Sequence, residues 1–108
     1  MKDLNRTSLF GENLRSLRED SGMTLKFVSN KIGIDYSLLA KIERNERQAT
    51  KKIIKLISDL FKLDEKKLQN DFLSDQIAYK IFHEEADLSV LKDVEEKFKY
   101  LKTIRNGK

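Results

Sequence analysis

The chain has 108 residues, a formal net charge of +4, 37% charged and 39% hydrophobic residues, and no cysteine. That length holds one small domain, or a domain with a short appendage, and a modest core supplied by 15 Leu and 9 Ile. It excludes disulfides, thiolate metal sites and thiol chemistry. The single His leaves a His-based metal site or relay short of ligands, so no metal and no cofactor are expected. No apolar run exceeds three residues, which argues against a membrane span or secretory signal and makes the cytoplasm the expected compartment. The basic balance leans toward anionic partners.

Apolar spacing is helical almost everywhere, and the chain reads as all-α. A first helix is expected from about Ser8 to Ser21, burying Phe10, Leu14 and Leu17 and stopping at Gly22. Thr24 is a good N-cap for a second helix through Ile32, with Val28 and Ile32 on one face and Gly33 breaking it. Asp35 caps a third helix through Glu43, with Leu39 and Ile42 inward. Residues 44–49 read as a polar loop, and Thr50 caps a fourth helix to Phe61 with a stripe of Ile53, Leu56, Ile57 and Leu60. Asp64 caps a short fifth helix holding Leu68 and Phe72. Two further helices are expected, Ser74 to Glu84 and Leu88 to about Ile104. The charge shifts at the same point: residues 1–70 carry 15 basic and 10 acidic groups, residues 71–108 carry 7 and 8. The expected division is therefore a head, 1–72, and a helical extension, 73–108.

The stretch Thr24 to Asn45, two short helices about a Gly-centred turn, has the form of a helix-turn-helix unit. Ser29 is small enough to let the second helix approach, and Ile34, Leu39 and Ile42 lock the pair. The exposed start of the third helix is then free to enter a DNA major groove. The segments FGENLRSLR (10–18), GMTLKFVSNKIGI (22–34) and AKIERNER (40–47) resemble the Xre/Cro family of lambda-repressor-like DNA-binding domains, in register over about residues 8–68. That resemblance implies a five-helix domain, a DNA-reading motif in helices two and three, and two-fold dimers on palindromic operators. The sequence departs from the family pattern at Asn45, where Gly is usual, at Ala49, where Pro is common, and at Leu25, where some members carry Gln.

Carried over position by position, the resemblance makes Tyr36, Ser37 and Lys41 the base-reading residues. Lys41 suits guanine O6 and N7, Ser37 can pair with several base edges, and Tyr36 can meet a thymine methyl or a phosphate. Leu38 reads as partly buried under the fourth helix, with an apolar thymine contact as the alternative. Thr24 at a helix start, with Arg44, Arg47, Lys51 and Lys52 (and Lys55 beyond), forms the expected phosphate face. Glu43 and Arg18 match a family pair and are assigned a structural role, with orientation of Arg18 toward a phosphate as a second one. His83 reads as a surface residue. The acidic residues are scattered among Lys on helix surfaces, so no catalytic residue is assigned and no enzyme is expected.

In the extension, Leu91, Val94, Phe98 and Leu101 keep an a/d rhythm for about two heptads. The last helices either pack back on their own head or form an intermolecular bundle. The second reading is preferred, because a small helix pair cannot hide its own apolar stripe and a palindrome needs a two-fold partner. The expected function is thus a DNA-binding transcriptional regulator acting as a homodimer on double-stranded DNA, in a restriction-modification or phage-repressor setting. The alternative is an antitoxin-like module that binds a protein partner through the tail and autoregulates its operon.

Overall fold

The computed structural model describes residues 8–107. They form six helices and, among the described residues, no strand: α1 Phe10–Asp20, α2 Leu25–Ile32, α3 Tyr36–Glu43, α4 Lys51–Phe61, α5 Glu65–His83 and α6 Val90–Asn106. The all-α expectation holds. Four helix starts follow from local side chains, each accepting a backbone N–H that a helix cannot satisfy internally. Thr24 Oγ1 accepts from Phe27 N at 3.0 Å, and Thr50 Oγ1 from Ile53 N at 3.1 Å. The Asp35 carboxylate accepts from Ser37 N at 3.1 Å, and Asp64 Oδ1 from Lys66 N at 2.9 Å.

The start of α1 is built differently. Its N-cap is Leu9, whose side chain accepts nothing, so the first amides find partners far along the chain. Phe10 N–H donates to Asp75 Oδ2 at 2.7 Å, and Gly11 N–H to Asn45 Oδ1 at 2.9 Å. Glu12 reaches back to accept Leu9 N–H at 2.8 Å.

The chain divides into two compact units between Asp75 and Gln76. In the first, α3 packs on α1 and α2, and α2 on α4. The core joins Phe10, Leu14, Val28, Ile32, Leu39, Ile42, Ile54, Ile57 and Leu68. Phe72 closes one side, its ring edge-on to Phe10 with centroids 5.3 Å apart. Ala49 is buried in this core, so the loop before α4 is anchored by packing at the position where the family pattern favours Pro.

The α4 stripe is rotated from the expected one. Ile53, Ile54, Ile57 and Ser58 are buried, while Leu56 and Leu60 are only partly covered. Ser58 tolerates the interior because its hydroxyl donates to Lys55 O at 2.8 Å within its own helix. A helix apolar over so wide an arc does not settle its own rotation; the neighbours did.

The expected break between the fifth and sixth helices is absent. Helix α5 runs unbroken from Glu65 to His83, through the expected boundary at Phe72. Neither Gly nor Pro interrupts it, and Ser74, read as a helix start, instead donates its hydroxyl to Asp71 O at 2.8 Å mid-helix.

The second unit begins in α5 and continues through a turn, where Glu85 takes φ 53°, into α6. No residue of α6 is buried. No described helix is long and apolar enough to cross a membrane.

Candidate nucleic-acid interface

The turn between α2 and α3 is made by Gly33, at φ +73°, a left-handed conformation that costs glycine little. Its N–H and that of Ile34 both donate to Ser29 O, at 2.9 and 3.0 Å. Ser29 is buried and satisfies its own hydroxyl on Lys26 O at 3.0 Å, so the interior gains a small side chain without an orphaned polar atom. Leu39 and Ile42 then hold α3 against the core, which turns the opposite face outward. On that face Tyr36, Ser37 and Lys41 are exposed, within two turns of one helix. Leu38 is partly buried and packs on the core, in keeping with the first of its two readings.

Among the expected contact residues, Ser37 and Arg44 are hydrogen-bonded to carboxylates. The Ser37 hydroxyl donates to Asp35 Oδ2, the oxygen that also caps the helix. These hydrogen bonds hold the Asp35 carboxyl below its ordinary range. The signal for this pairing was present in the sequence, an N-cap Asp with Ser two residues on, but its consequence for Ser37 was missed. Arg44 lies in a two-point pair with Glu46, Nε to Oε2 at 2.8 Å and Nη2 to Oε1 at 3.1 Å. Each partner favours the charged form of the other, Glu46 lowered and Arg44 raised by the shared hydrogen bonds.

Thr24, Arg47, Lys51 and Lys52 are all exposed. Lys55 stands near two carboxylates, Asp59 at 3.8 Å and Glu65 at 3.7 Å. Arg18 and Glu43 meet in the interior: Nε to Oε2 is 2.7 Å and Nη2 to Oε1 is 3.0 Å. Arg18 Nη1 donates to Met23 O at 2.9 Å, so the guanidinium ties α1 to α3 and to the segment that opens α2. The Glu43 hydrogen bonds raise the Arg18 pKa further. With its three nitrogens so engaged, Arg18 points inward, in keeping with the structural role.

Sequence reasoning missed what holds Asn45. Its φ is 62°, the left-handed turn expected where the family carries Gly, and its side chain also accepts the Gly11 N–H. A profile of the helix-turn-helix family matches residues 14–68, just over half the chain. The chain belongs to the helix-turn-helix family. Within it the type is Xre-like, a class of DNA-binding transcription regulators. Among solved structures, this helix-turn-helix protein is similar to the clp gene regulator ClgR from Corynebacterium glutamicum, at 13% identity and a TM-score of 0.54. That match covers 99% of this chain and 100% of the other. It is also similar to a chain of the SinR protein/SinI protein complex, at 17% identity and a TM-score of 0.53, over 88% of this chain and 99% of that one. At such identities the likeness concerns the fold alone. No curated protein sequence matches the chain.

Proposed function

We propose that this helix-turn-helix protein is a cytoplasmic, sequence-specific transcriptional regulator that binds a palindromic DNA operator as a homodimer. One observation carries the reading: α3 is locked to the core through Leu39 and Ile42 and presents Tyr36, Ser37 and Lys41 outward. Lys41 supplies donors for guanine O6 and N7, and Tyr36 an apolar ring with a polar tip. Thr24, Arg44, Arg47, Lys51 and Lys52 supply the phosphate contacts that set register on the duplex. The Arg18–Glu43 pair keeps α3 at its angle to α1. The DNA-binding head, expected to end at Phe72, runs on through α5 to Asp75, and the remainder of the chain is the extension that joins two heads.

The homodimer rests on the extension. Leu91, Val94, Phe98 and Leu101 are each between 44% and 61% exposed, an apolar row that one copy leaves in water. A second copy supplies an equivalent row under two-fold symmetry, as a palindrome demands. A restriction-modification controller and a phage-type repressor are both settings for this chemistry.

A second reading has one observation in its favour. The similar SinR protein is found in a complex with the SinI protein. Here the same exposed row takes a protein partner in place of a second copy, as in an antitoxin that neutralises a toxin and represses its own operon. Selection of bound DNA from a random pool, with the mass of the complex measured, separates the two. A preferred palindrome carrying two chains supports the regulator. A preferred sequence bound by one chain, with the apolar row left free for another protein, favours the interaction module.

A further inference from the structure

The first turn of α3 carries a hydrogen-bonding polarity. Ser37 N–H and Ser37 Oγ–H both donate to Asp35 Oδ2. A serine hydroxyl has one proton and two lone pairs, and an ionised carboxylate has lone pairs only. With its proton committed to the cap, exposed Ser37 has only acceptor capacity left, and so does the exposed carboxylate beside it. Lys41, four residues on and about 6 Å along the axis, is the opposite: three donors and no acceptor.

We propose, building on the DNA-reading assignment above, that Asp35 sets the base preference of Ser37, so that the first turn of α3 selects cytosine or adenine on the strand it faces and rejects guanine and thymine. In the major groove cytosine offers its N4 amino group and adenine its N6 amino group, whereas guanine offers O6 and N7 and thymine O4, all acceptors. Opposite guanine or thymine, the lone pairs of Ser37 face other lone pairs. Turning the hydroxyl to donate would break its bond to the helix cap. A mismatch of this kind corresponds to about a tenfold loss in selection, from one buried hydrogen bond left unmade. Tyr36 and Lys41 do not share this constraint, so the amino preference is confined to one base pair per half-site. Asp35 acts here as a positioning residue: it repels phosphate and contacts no base, but it decides which way the Ser37 proton points.

The test is random-pool selection with the full chain and three variants. Ser37→Ala identifies the base pair in question, where the choice among four bases relaxes. At that pair the unaltered protein takes cytosine or adenine over guanine and thymine by about tenfold. Asp35→Asn keeps an oxygen that accepts the Ser37 proton, and keeps the preference. Asp35→Gly retains a competent N-cap at small cost but releases the proton, so guanine and thymine enter at that pair alone. Guanine or thymine preferred by the unaltered protein, an Asp35→Gly selection identical to it, or a Ser37→Ala selection altered nowhere would each overturn the proposal while leaving DNA reading intact. A pool without any enriched sequence overturns the DNA-reading assignment itself. Should Asp35→Gly melt below the working temperature, the base that the unaltered protein takes at the pair identified by Ser37→Ala decides: cytosine or adenine supports the proposal, and guanine or thymine overturns it.

Discussion

The side-chain carbonyl of Asn45 accepts the backbone N–H of Gly11 at 2.9 Å, tying the end of α3 to the first turn of α1. The contact depends on both residues. Asn45 holds φ 62°, which few residues other than Gly adopt easily, while Gly has no side chain to offer an amide. A Cβ at Gly11 would come within 2.4 Å of Ile42 O and 2.6 Å of Glu43 O. Both are backbone atoms, so α1 and α3 would have to part. Asn45→Gly therefore keeps the turn and loses the bond, at about 1 kcal/mol. Gly11→Ala costs more, about 1–3 kcal/mol, by forcing the helices apart. Thermal melts rank them; an Asn45→Gly variant as stable as the parent would show that the side chain contributes nothing.

Glu46 already occupies two nitrogens of Arg44, so on the proposed phosphate face it would compete with phosphate for that side chain. Glu46→Gln should raise DNA affinity for all sequences alike and steepen its salt dependence. Arg47→Ala should lower affinity and flatten the salt dependence by about one phosphate equivalent. Lys41→Ala should instead cost about 1–3 kcal/mol on the preferred operator and relax choice at one base pair per half-site. Binding titrations at several salt concentrations distinguish these effects. Equal salt slopes for the parent and Arg47→Ala would remove Arg47 from the phosphate face.

Asp75 determines where the head can be cut. Its carboxylate accepts the Phe10 N–H, so a chain ending at Phe72 loses a helix-start partner as well as the tail. A chain ending after Gln76 should stay folded, sediment as a monomer and bind its operator far more weakly, because unlinked heads lose their effective concentration. Val94→Asp with Phe98→Asp should reproduce that loss in the full chain, since burying unpaired charge is costly. Undiminished dimerisation of the shortened chain would put the interface in the head and leave the tail for a protein partner.

Burial raises the carboxyls of Asp71 and Asp75 above their ordinary range, outweighing the hydrogen bonds from Asn13 and Phe10. A raised carboxyl binds its proton more tightly folded than unfolded. Its contribution is therefore complete below the unfolded value and is lost as pH rises through the folded one. Asp71→Asn removes that loss while keeping an oxygen to accept from Asn13 Nδ2, now 3.3 Å from Asp71 Oδ2. The variant should equal or exceed the parent in stability at neutral pH and show a flatter profile from about pH 4 upward. Denaturant melts across that range check the sign. A variant less stable than the parent at neutral pH would mean that the ionised carboxylate is favoured.

What the sequence determined by itself is what neighbouring residues decide among themselves. Thr24, Asp35, Thr50 and Asp64 cap helices through bonds two or three residues away, and Gly33 turns the chain with its own φ. A contact of that range is written in spacing, so four helix starts, the helix-turn-helix unit and the outward residues of α3 were legible. The tertiary structure decided the rest. Phe10 and Asp75 are 65 residues apart, Gly11 and Asn45 are 34, and no local pattern links them. The rotation of α4 was open for a related reason: its apolar arc is wider than the core face, and packing buried Ile54 fully while leaving Leu56 at the edge of the core. Ser74 shows the limit most clearly. A hydroxyl that caps a helix and one that bonds back within it are the same residue in sequence, and only the unbroken path of α5 assigned it the second role.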